Sequence, residues 1–444
     1  MSNVVEIEVI SNEIIKPNSP TPDHLRRYKL SSLDQISPKV YNPLLFFYEL
    51  NGTDDPDDEH HKFNNITFIS NHLKKSLSEV LALFYPLAGR QLKGDLIVDC
   101  NDEGVPFLEA KVKGQSISDA IKAPIASDHN KFLPFKLDEV GEFALGVQLN
   151  VFESGGIVIG VCISHKLADA LSSIMFVKTW VATARGEADT IAPPEFVSAT
   201  LFPPKNLRSY DSTVGITRKN IIAKRFIFDS TAIETLKTKL SDQDRAPSRV
   251  EALSTFIWSR FMAATYKSDD SKKLYTIIHP VNLRPKFDPP LQNHHFGNYY
   301  RVAFTVVPSS CISTVGEDSC GRELVKQIRE EIKKIDTEFV TKLIEGNEEH
   351  FDILEDSANR FVRDELVTSA FTSLLKFPIY EADFGWGNPT WVGSPALNFS
   401  NVTAFFDTKT GDGIEAYISL NRDDMAKLEA DNEFQAFVSP LLGC

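Results

Sequence analysis

The stretch that decides the fold is Gly155-Gly156-Ile157-Val158-Ile159-Gly160-Val161-Cys162-Ile163-Ser164-His165-Lys166-Leu167-Ala168-Asp169. Its apolar centre is β-branched and only a few residues long, which is typical of a strand covered on both faces. From Ala168 to Ala184 the apolar residues recur at helical spacing. The sequence therefore predicts a buried strand that ends at His165 and a helix that begins just after it.

The position of His165 favours a functional role for this side chain. In open α/β sheets, ligands bind at the carboxyl ends of strands, and a helix amino terminus disfavours a protonated imidazole. A His-x-x-x-Asp spacing by itself is weak evidence, because a chain of this length contains one by chance with about even odds. Among the ten histidines, however, only His165 has an aspartate four residues later, Asp169. His165 is therefore the candidate general base.

Length and composition indicate a globular protein with two domains. A chain of 444 residues exceeds what one hydrophobic core usually serves. The net charge of −14 argues against nucleic acid or an anionic membrane as a partner. The five cysteines are scattered without any C-x-x-C spacing, and no apolar span of membrane length occurs. We therefore expect a cytoplasmic protein without structural zinc, disulfides or membrane contact.

The predicted elements form two α/β halves. In the first half, strands are expected at 6–16, 40–50 and 144–152, a helix at 68–84, a loop at 51–61, and a hairpin of 96–100 with 106–112. The strand at 40–50 is expected to be central, with 144–152 beside it. From 187 to 220 the composition shifts to Pro, Ser, Thr and charge. We predict an N-terminal domain at 1–186, a crossover linker at 187–220 and a C-terminal domain at 221–444.

The second half repeats the α/β pattern. Strands are expected at 223–228, 275–281 and 300–307, an edge strand at 401–407, and a further strand at 414–420 after a hairpin turn at 411–413. Helices are expected at 230–240 and 249–266, a long amphipathic one at 321–344, and a last one capped by Asp423 that ends at Phe437. Two α/β halves of similar size predict a binding cleft between them.

Three shorter stretches constrain the chemistry. Arg284 follows a buried strand. An exposed arginine is the ordinary expectation, and the alternative is a guanidinium that binds a buried carboxylate, such as that of Asp169, through two hydrogen bonds. Asp383-Phe384-Gly385-Trp386-Gly387 indicates a tight turn, and a kinase motif is excluded because no other kinase signature precedes it. No metal is expected at His294-His295, since adjacent residues of a strand point to opposite faces and no carboxylate is suitably spaced.

The two distinctive motifs, His165–Asp169 and Asp383–Gly387, together resemble the signature pair of the plant BAHD acyltransferases. The resemblance covers nearly the whole chain, and it is closest to the vinorine synthase-like branch of alkaloid and alcohol acetyltransferases. Further landmarks that resemble the family are Tyr85–Arg90, Val98–Asp102, Asn282–Arg284, Phe296–Asn298 and Gly413–Ala416.

The resemblance implies both a fold and an activity. The expected fold is α/β, with two chloramphenicol-acetyltransferase-like domains, each a mixed sheet flanked by helices, and a channel between them. The expected activity is acyl transfer from acyl-CoA, with acetyl-CoA favoured, to a hydroxyl of a small, alkaloid-like plant metabolite in a ternary complex. CoA is then a cosubstrate rather than a permanently bound cofactor, and the protein is expected to be a monomer.

The resemblance also implies roles for single residues. His165 takes the proton from the acceptor hydroxyl and returns it to the CoA thiolate. Asp169 pairs with Arg284 to hold the loop of His165, although orientation of His165 by Asp169 in a triad remains an alternative. The second motif, with Asp383, Gly385 and Gly387, is expected to shape the channel wall or the CoA mouth beyond reach of His165. The expected CoA contacts are Ser248, Arg249, Gly297 and Asn298, and no metal ligand is expected.

Other functions remain open from the sequence. The donor could be malonyl-, benzoyl- or a branched-chain acyl-CoA, and the acceptor could be an amine. A non-catalytic homologue with a blocked channel would keep the same fold, although the intact His165 argues against it. A carboxylesterase or an amide-forming condensation enzyme would also use a central histidine.

Overall fold

The computed structural model describes most of the chain, and its contacts group the residues into two compact units. The described residues are 5–50, 65–91, 96–122, 126–207, 211, 213, 220–242, 245–266, 273–308, 311–312, 315, 317–397 and 399–439. The first unit comprises Met1–Leu207, Gln292–Tyr299 and Phe377–Pro395, and the second comprises Arg208–Leu291, Tyr300–Lys376 and Ala396–Cys444. The predicted loop at 51–61 lies outside the described residues.

The strands and helices are numbered in chain order. The strands are β1 Glu6–Ile15, β2 Arg27–Lys29, β3 Tyr41–Tyr48, β4 Arg90–Gln91, β5 Ile97–Asp99, β6 Val105–Lys113, β7 Leu145–Phe152, β8 Ile157–Ser164, β9 Ile221–Phe228, β10 Leu274–Asn282, β11 Tyr300–Val306, β12 Leu366–Ser373, β13 Trp391–Gly393, β14 Val402–Asp407 and β15 Ile414–Asn421. The α-helices are α1 Ser32–Ile36, α2 Ile66–Leu83, α3 Ile117–Lys122, α4 Ala126–His129, α5 Ala170–Ala184, α6 Ser198–Leu201, α7 Ser230–Lys239, α8 Arg249–Thr265, α9 Asp318–Lys333, α10 Thr337–Ile344, α11 Glu349–Val362, α12 Arg422–Ala430 and α13 Asn432–Phe437.

The first unit is built on a mixed sheet with the strand order β1-β6-β7-β8-β3-β13. The pair β6 and β7 is parallel, and the other neighbours are antiparallel. Every residue of β8 is buried, as its apolar sequence predicts. Gly160 is required within this strand, because a Cβ there would lie 2.1 Å from the carbonyl oxygen of Phe132. The predicted strand before His165 is confirmed.

Helices α2 and α5 pack on each other in the first unit. The apolar positions at helical spacing in α2 are buried, and in α5 the Trp180 ring is fully buried. The indole Nε1 of Trp180 donates to Ser76 Oγ of α2 at 3.0 Å, which satisfies the only polar atom of that ring. Both helices were predicted from periodicity, and both are confirmed.

Two predictions about strand pairing in the first unit are wrong. The strands at 96–100 and 106–112 do not form a hairpin, because β5 joins β2 and β4 in a small sheet while β6 lies between β1 and β7. Similarly, β7 is not beside β3, since β8 separates them. The turn signal between β5 and β6 is genuine, with Asp102 and Gly104 at positive φ. Strand partners, however, are chosen by contacts distant in sequence.

The second unit contains another mixed sheet, with the order β11-β10-β12-β14-β15-β9. β10, β12 and β14 run parallel, and the remaining neighbours are antiparallel. Its core includes Trp258 of α8 together with Phe228 and Phe405 of the sheet. β14 lies inside this sheet, so the prediction of an edge strand at 401–407 is wrong, whereas its hairpin with β15 is confirmed.

Two helix predictions in the second half are also corrected. The long helix expected at 321–344 is two helices, α9 and α10, because Asp336 caps a new helix by accepting from Phe339 N at 2.9 Å. The last helix is likewise divided. Asn421, rather than Asp423, caps α12, and Asp431 caps α13. These polar residues fit the amphipathic pattern of one continuous helix. Their side chains, however, accept hydrogen bonds from backbone N–H groups and so mark the start of a new helix.

The predicted domain boundaries differ from the observed units. The first unit extends to Leu207 and also contains two segments of the C-terminal half, 292–299 and 377–395. The second of these carries β13, which pairs with β3. The Asp383–Gly387 motif therefore belongs to the first unit and not to a domain at 221–444.

The expected α/β class, with mixed sheets flanked by helices, is confirmed, while the channel between domains stays a prediction. None of the helices in the described residues is long and apolar enough to cross a membrane.

Candidate active site

His165 follows the last residue of β8 and is partly exposed. Its backbone N–H donates to the carbonyl oxygen of Val40 at 2.9 Å, just before β3 begins. The end of β8 is thus tied to the segment just before its neighbouring strand β3, and His165 lies in the turn that follows β8. This is the strand-end position that the sequence predicts.

A buried network holds one side of the imidazole. Asn298 Oδ1 lies 3.2 Å from His165 Nδ1, while Asn298 Nδ2 donates at 2.8 Å both to the carbonyl oxygen of His165 and to Asp34 Oδ1. The other carboxylate oxygen of Asp34 accepts from Ser31 N at 2.8 Å and Ser31 Oγ at 2.7 Å. Asp34 and Asn298 are both fully buried. Three segments distant in sequence therefore converge on His165.

The network determines the tautomer of His165. The amide nitrogen of Asn298 faces two groups that accept hydrogen bonds, the Asp34 carboxylate and a backbone carbonyl, so its oxygen must face the imidazole. An amide oxygen only accepts, so His165 Nδ1 carries the hydrogen. The lone pair of the neutral ring is then on Nε2. This is the form that a general base requires.

Burial sets the protonation of this network. Desolvation lowers the pKa of His165 below its ordinary value of 6.5, which keeps the imidazole neutral near pH 7. Burial raises the pKa of Asp34 to about 6, although the hydrogen bonds from Ser31 and Asn298 oppose that rise. Above pH 6 the Asp34 carboxylate is ionised and anchors the Asn298 amide.

Asp169 joins the helix after His165 to the segment that carries Asn298. It is the N-cap of α5, because its Oδ1 accepts from Ser172 N at 2.8 Å, and its Oδ2 accepts from Tyr299 N at 3.0 Å. Ser172 Oγ donates to the Gly297 carbonyl at 2.9 Å and accepts from Gly297 N at 3.0 Å. The Asp169 carboxylate is buried. Its contacts support a role in positioning the loop.

Arg284 and two of the predicted CoA-binding residues lie in the second unit. Arg284 is almost fully buried, so the ordinary expectation of a surface arginine is wrong, and its Nη1 lies 3.4 Å from Asn282 Oδ1. Ser248 caps α8 in a capping box with Glu251. Arg249 pairs with Asp407 at 3.1 Å. The Asp169–Arg284 pair and the CoA contacts of Ser248 and Arg249 stay predictions.

The other two residues predicted to contact CoA, Gly297 and Asn298, lie in the first unit beside His165. Gly297 adopts φ +145° and bonds to Ser172 through both its N–H and its carbonyl group. The side chain of Asn298 contacts the imidazole itself. Their expected CoA contacts stay predictions, while the structure gives Asn298 a positioning role that the sequence analysis did not assign.

The Asp383–Gly387 motif forms a tight turn. Asp383 Oδ1 accepts from the backbone N–H groups of Gly385 and Gly387, both at 2.8 Å, and Asp383 Oδ2 pairs with Arg185 at 2.9 Å. Gly385 and Gly387 adopt φ angles of +116° and +98°, which glycine tolerates and other residues rarely adopt. Asp383 therefore acts as a local brace for the backbone.

The motif is anchored at the far end of α5 from His165. The ring of Phe384 packs edge-on against Trp180 with centroids 4.8 Å apart, and Arg185 follows the last residue of α5. His165 lies five residues before Ala170, the first residue of the same 15-residue helix. At 1.5 Å per residue, the two ends are about 22 Å apart. The geometry supports the expectation that the motif acts beyond reach of His165.

A cavity of about 510 Å³ lies along α5 in the first unit. Its walls include Phe46, Ile174 and Lys178, and the segment just before the second motif closes one side. His165 does not line this cavity. The candidate active site is therefore the network around His165 and not this cavity.

Replacing Gly385 with alanine should lower the free energy of unfolding by about 1 kcal/mol or more, because alanine is strained at this positive φ. Urea denaturation of both proteins measures the difference. Gly141→Ala is the matched control, since Gly141 lacks a positive φ and a Cβ added there would meet no heavy atom of a non-adjacent residue within 4 Å. Equal stability of the Gly385→Ala variant and wild type would contradict the structural role of the motif.

Several functional residues were missed in the sequence analysis. Asp34 and its partner Ser31 form a capping box at the start of α1, and the Ser-x-x-Asp spacing was the available signal.

Glu195 contacts both His294 and His295, with an oxygen 3.2 Å from Nε2 of each ring. These histidines therefore do have a carboxylate partner, contrary to the prediction from sequence, because Glu195 lies 99 residues away along the chain.

Replacing Asp34 with asparagine should lower the free energy of unfolding by about 1–3 kcal/mol, because both carboxylate oxygens accept hydrogen bonds and the new amide nitrogen must face the donors of either Ser31 or Asn298. Thermal and urea denaturation measure the change. Asp119→Asn is the matched control, because Asp119 has the same serine three residues earlier but is exposed. Similar, small losses in both variants would contradict this account of the network.

Known proteins resemble this chain in both sequence and fold. The model of the Transferase family matches residues 5–435. Limonoid 21-O-acetyltransferase of Melia azedarach is 36% identical over 98% of this chain and 99% of its own length. Stemmadenine O-acetyltransferase of Catharanthus roseus is 36% identical over 96% of this chain and 97% of its own length. The crystal structure of vinorine synthase matches 98% of this chain and 99% of its own, with 32% identity and a TM-score of 0.79.

The match therefore extends over nearly the whole chain, in both sequence and fold, rather than over the two short motifs alone. It includes the strand that ends at His165 and the turn at Asp383. The chain belongs to the Transferase family of BAHD acyltransferases, and it is an O-acyltransferase that uses acyl-CoA as its cosubstrate.

Proposed function

We propose that this protein transfers an acetyl group from acetyl-CoA to a hydroxyl of a plant specialised metabolite, with His165 as the general base. The observation that carries the proposal is the set of Asn298 contacts: its amide nitrogen donates to two acceptors, so we infer that its oxygen accepts from Nδ1 of His165 and that the lone pair is on Nε2. The acetyl donor and a hydroxylated acceptor are supported by relatives that acetylate limonoids and stemmadenine. An alkaloid-like acceptor remains the favoured class.

The proposed reaction takes place in a ternary complex of protein, acetyl-CoA and acceptor. Nε2 of His165 accepts the hydroxyl proton while the acceptor oxygen attacks the thioester carbonyl, so that a C–O bond forms and a tetrahedral intermediate results. The C–S bond then breaks, and the imidazolium returns the proton to the departing CoA thiolate. Atoms and charge balance without a further reactant.

Residues around His165 support this chemistry indirectly. Asn298 and Asp34 hold the ring in one tautomer, and the N-cap of α5 at Asp169 fixes the backbone that follows it. We propose that the buried Arg284 pairs with Asp169. The CoA contacts of Ser248, Arg249, Gly297 and Asn298 are also part of the proposal. Because the protein has a net negative charge, the phosphates of CoA need hydrogen-bond donors from the backbone and from side chains where they bind.

We also propose that the protein acts as a monomer in the cytoplasm. Cys100 and Cys162, which the described part of the chain contains, are free and buried, which supports a reducing compartment. Size-exclusion chromatography with light scattering would test the monomer, with a mass near 49.7 kDa expected.

The pH dependence of kcat/KM should show an acid limb below pH 6.5. Burial lowers the pKa of His165, so the neutral base persists to a more acidic pH than for an exposed histidine. The pKa of Asp34, about 6, falls in the same range. Initial rates between about pH 5 and 9 measure the profile, and the Asp34→Asn variant removes the second titration. An acid limb well above pH 6.5 would contradict a desolvated base.

The function itself is tested by incubation with acetyl-CoA and a panel of hydroxylated metabolites. Free thiol is followed with a chromogenic reagent, and the product is identified by its mass. We expect thiol release that depends on the acceptor, together with an acetylated product. Malonyl-, benzoyl- and branched-chain acyl-CoA, and amine acceptors, are the parallel arms. Thiol release in water alone would indicate a hydrolase, and no release with any donor would indicate a non-catalytic homologue.

A further inference from the structure

Glu195, His294 and His295 form a cluster outside the network of His165. Two backbone hydrogen bonds bring their segments together: Glu195 N donates to the His294 carbonyl at 2.9 Å, and Phe296 N donates to the Glu195 carbonyl at 2.9 Å. This pairing places the carboxylate of Glu195 against both imidazoles. All three residues belong to the first unit. The reaction proposed above uses none of them.

The three side chains have the spacing of a metal site. His294 Nε2 lies 3.2 Å from Glu195 Oε1, and His295 Nε2 lies 3.2 Å from Glu195 Oε2. A ligand atom from each residue lies within 4.8 Å of the other two. Two ligands at about 2.0–2.1 Å from a tetrahedral zinc ion are about 3.3 Å apart. The two nitrogen-to-oxygen distances thus match the separation of neighbouring ligands on one ion, and all three ligand atoms lie close enough to converge on it.

The hydrogen bonding of His295 supports a cation at this cluster. His295 Nδ1 lies 3.0 Å from the carbonyl oxygen of Gln292, which only accepts, so Nδ1 carries a hydrogen. In a neutral ring, Nε2 then directs a lone pair at the Glu195 carboxylate, which is repulsive. Either a second proton or a metal ion removes this conflict. Histidines that bind metals usually donate their other N–H to a carbonyl or carboxylate in this way.

We propose that Glu195, His294 and His295 bind a divalent transition-metal ion, and that Zn²⁺ is the best match. Two imidazoles and one carboxylate are a known zinc ligand set, with water as the fourth ligand. Ca²⁺ and Mg²⁺ prefer oxygen ligands and are disfavoured by the two nitrogens. The Glu195 side chain is 52% exposed, whereas that of His295 is 12% exposed, so solvent reaches the cluster from the carboxylate side.

The site has a structural consequence for the proposed active site. Asn298, which holds His165 Nδ1, follows His295 by three residues. A metal ion would link Glu195 of the segment after α5 to the segment that carries Asn298. We therefore expect the ion to stabilise the native protein, because it binds only when these segments are paired. This link to catalysis rests on the proposed function, whereas the metal site does not.

The experiment measures Zn²⁺ binding to the full-length protein after treatment with a chelator and desalting. Isothermal titration should give about one Zn²⁺ per chain, and the melting temperature should rise with added Zn²⁺. Co²⁺ should give the intense visible absorption of a four-coordinate site. Glu195→Gln and His295→Gln should each lower Zn²⁺ affinity by at least about 100-fold, since loss of a mere outer-shell partner already costs about 10–100-fold. His24→Gln, at an exposed histidine, is the matched control and should bind like wild type.

Two outcomes would overturn the proposal. If wild type binds no Zn²⁺, the cluster is a set of contacts among Glu195, His294 and His295 that holds no metal ion. If Glu195→Gln and His295→Gln bind Zn²⁺ as tightly as wild type, the ion binds elsewhere. Glu195→Gln is nearly isosteric at a half-exposed position, and its melting temperature without metal shows whether it folds. The acetyl-CoA assay is independent of these results, so failure here leaves the proposed function standing.

Discussion

Replacing His165 with alanine should lower kcat/KM for acetyl transfer by about two to four orders of magnitude while leaving the fold intact. This is the usual worth of a general base, and Nε2 of this ring is the atom that would accept the proton of the acceptor hydroxyl. Thiol release from acetyl-CoA measures the rate. The side chain is partly exposed and lies in the turn after β8, outside the sheet, so we expect the truncated variant to fold.

Two further variants sharpen the test of His165. His165→Gln keeps a polar side chain that cannot act as a base, and it should be as inactive as His165→Ala. His24→Ala removes an exposed histidine and should keep wild-type activity. Circular dichroism and melting temperature establish that each variant is folded. Near-wild-type turnover by folded His165→Ala would contradict the proposed mechanism.

Replacing Asp169 with alanine should lower the free energy of unfolding by about 3–5 kcal/mol. The change removes the N-cap of α5 and leaves the Tyr299 N–H without its acceptor. It also strands the buried charge of Arg284 if the two residues pair as proposed. Urea denaturation measures the loss. Asp169→Asn keeps the shape of the side chain and should retain partial activity, because the base itself is unchanged.

The contribution of the cap can be separated from that of the ion pair. Asp336→Ala is the matched control, since Asp336 caps α10 through one backbone N–H at an exposed position and should cost about 1 kcal/mol. A double-mutant cycle with Arg284→Met then measures the pair, and a coupling of about 1 kcal/mol or more is expected. A coupling near zero would contradict the pair. A stable Asp169→Asn variant as inactive as His165→Ala would place Asp169 in the catalytic relay.

Much of the local structure could be predicted from the sequence, because it depends on patterns within one segment. The continuous apolar run of β8 and the helical spacing in α2 and α5 indicated elements close to the observed ones. The glycines of the second motif indicated a backbone conformation that other residues rarely adopt, and both have positive φ. The position of His165 at a strand end followed from the same local reasoning.

The remaining features depend on contacts between distant segments. Asn298 is predicted to contact CoA, yet its side chain holds His165, and its own partner Asp34 lies 264 residues away in sequence. The turn at Asp383 joins the first unit through β13, which no local pattern indicates. Glu195 reaches His294 across 99 residues. In each case the partner comes from a segment distant in sequence, and such contacts are not encoded in local spacing.

The central claim is that Asn298 and Asp34 hold His165 as a neutral base with its hydrogen on Nδ1. Nitrogen NMR of protein labelled with ¹⁵N-histidine tests this directly, with the His165 signals assigned by their loss in His165→Gln. We predict a protonated Nδ1 and an unprotonated Nε2 at about pH 7.5, above the ordinary pKa of histidine. A ring with its hydrogen on Nε2, or one that is doubly protonated at this pH, would contradict the account.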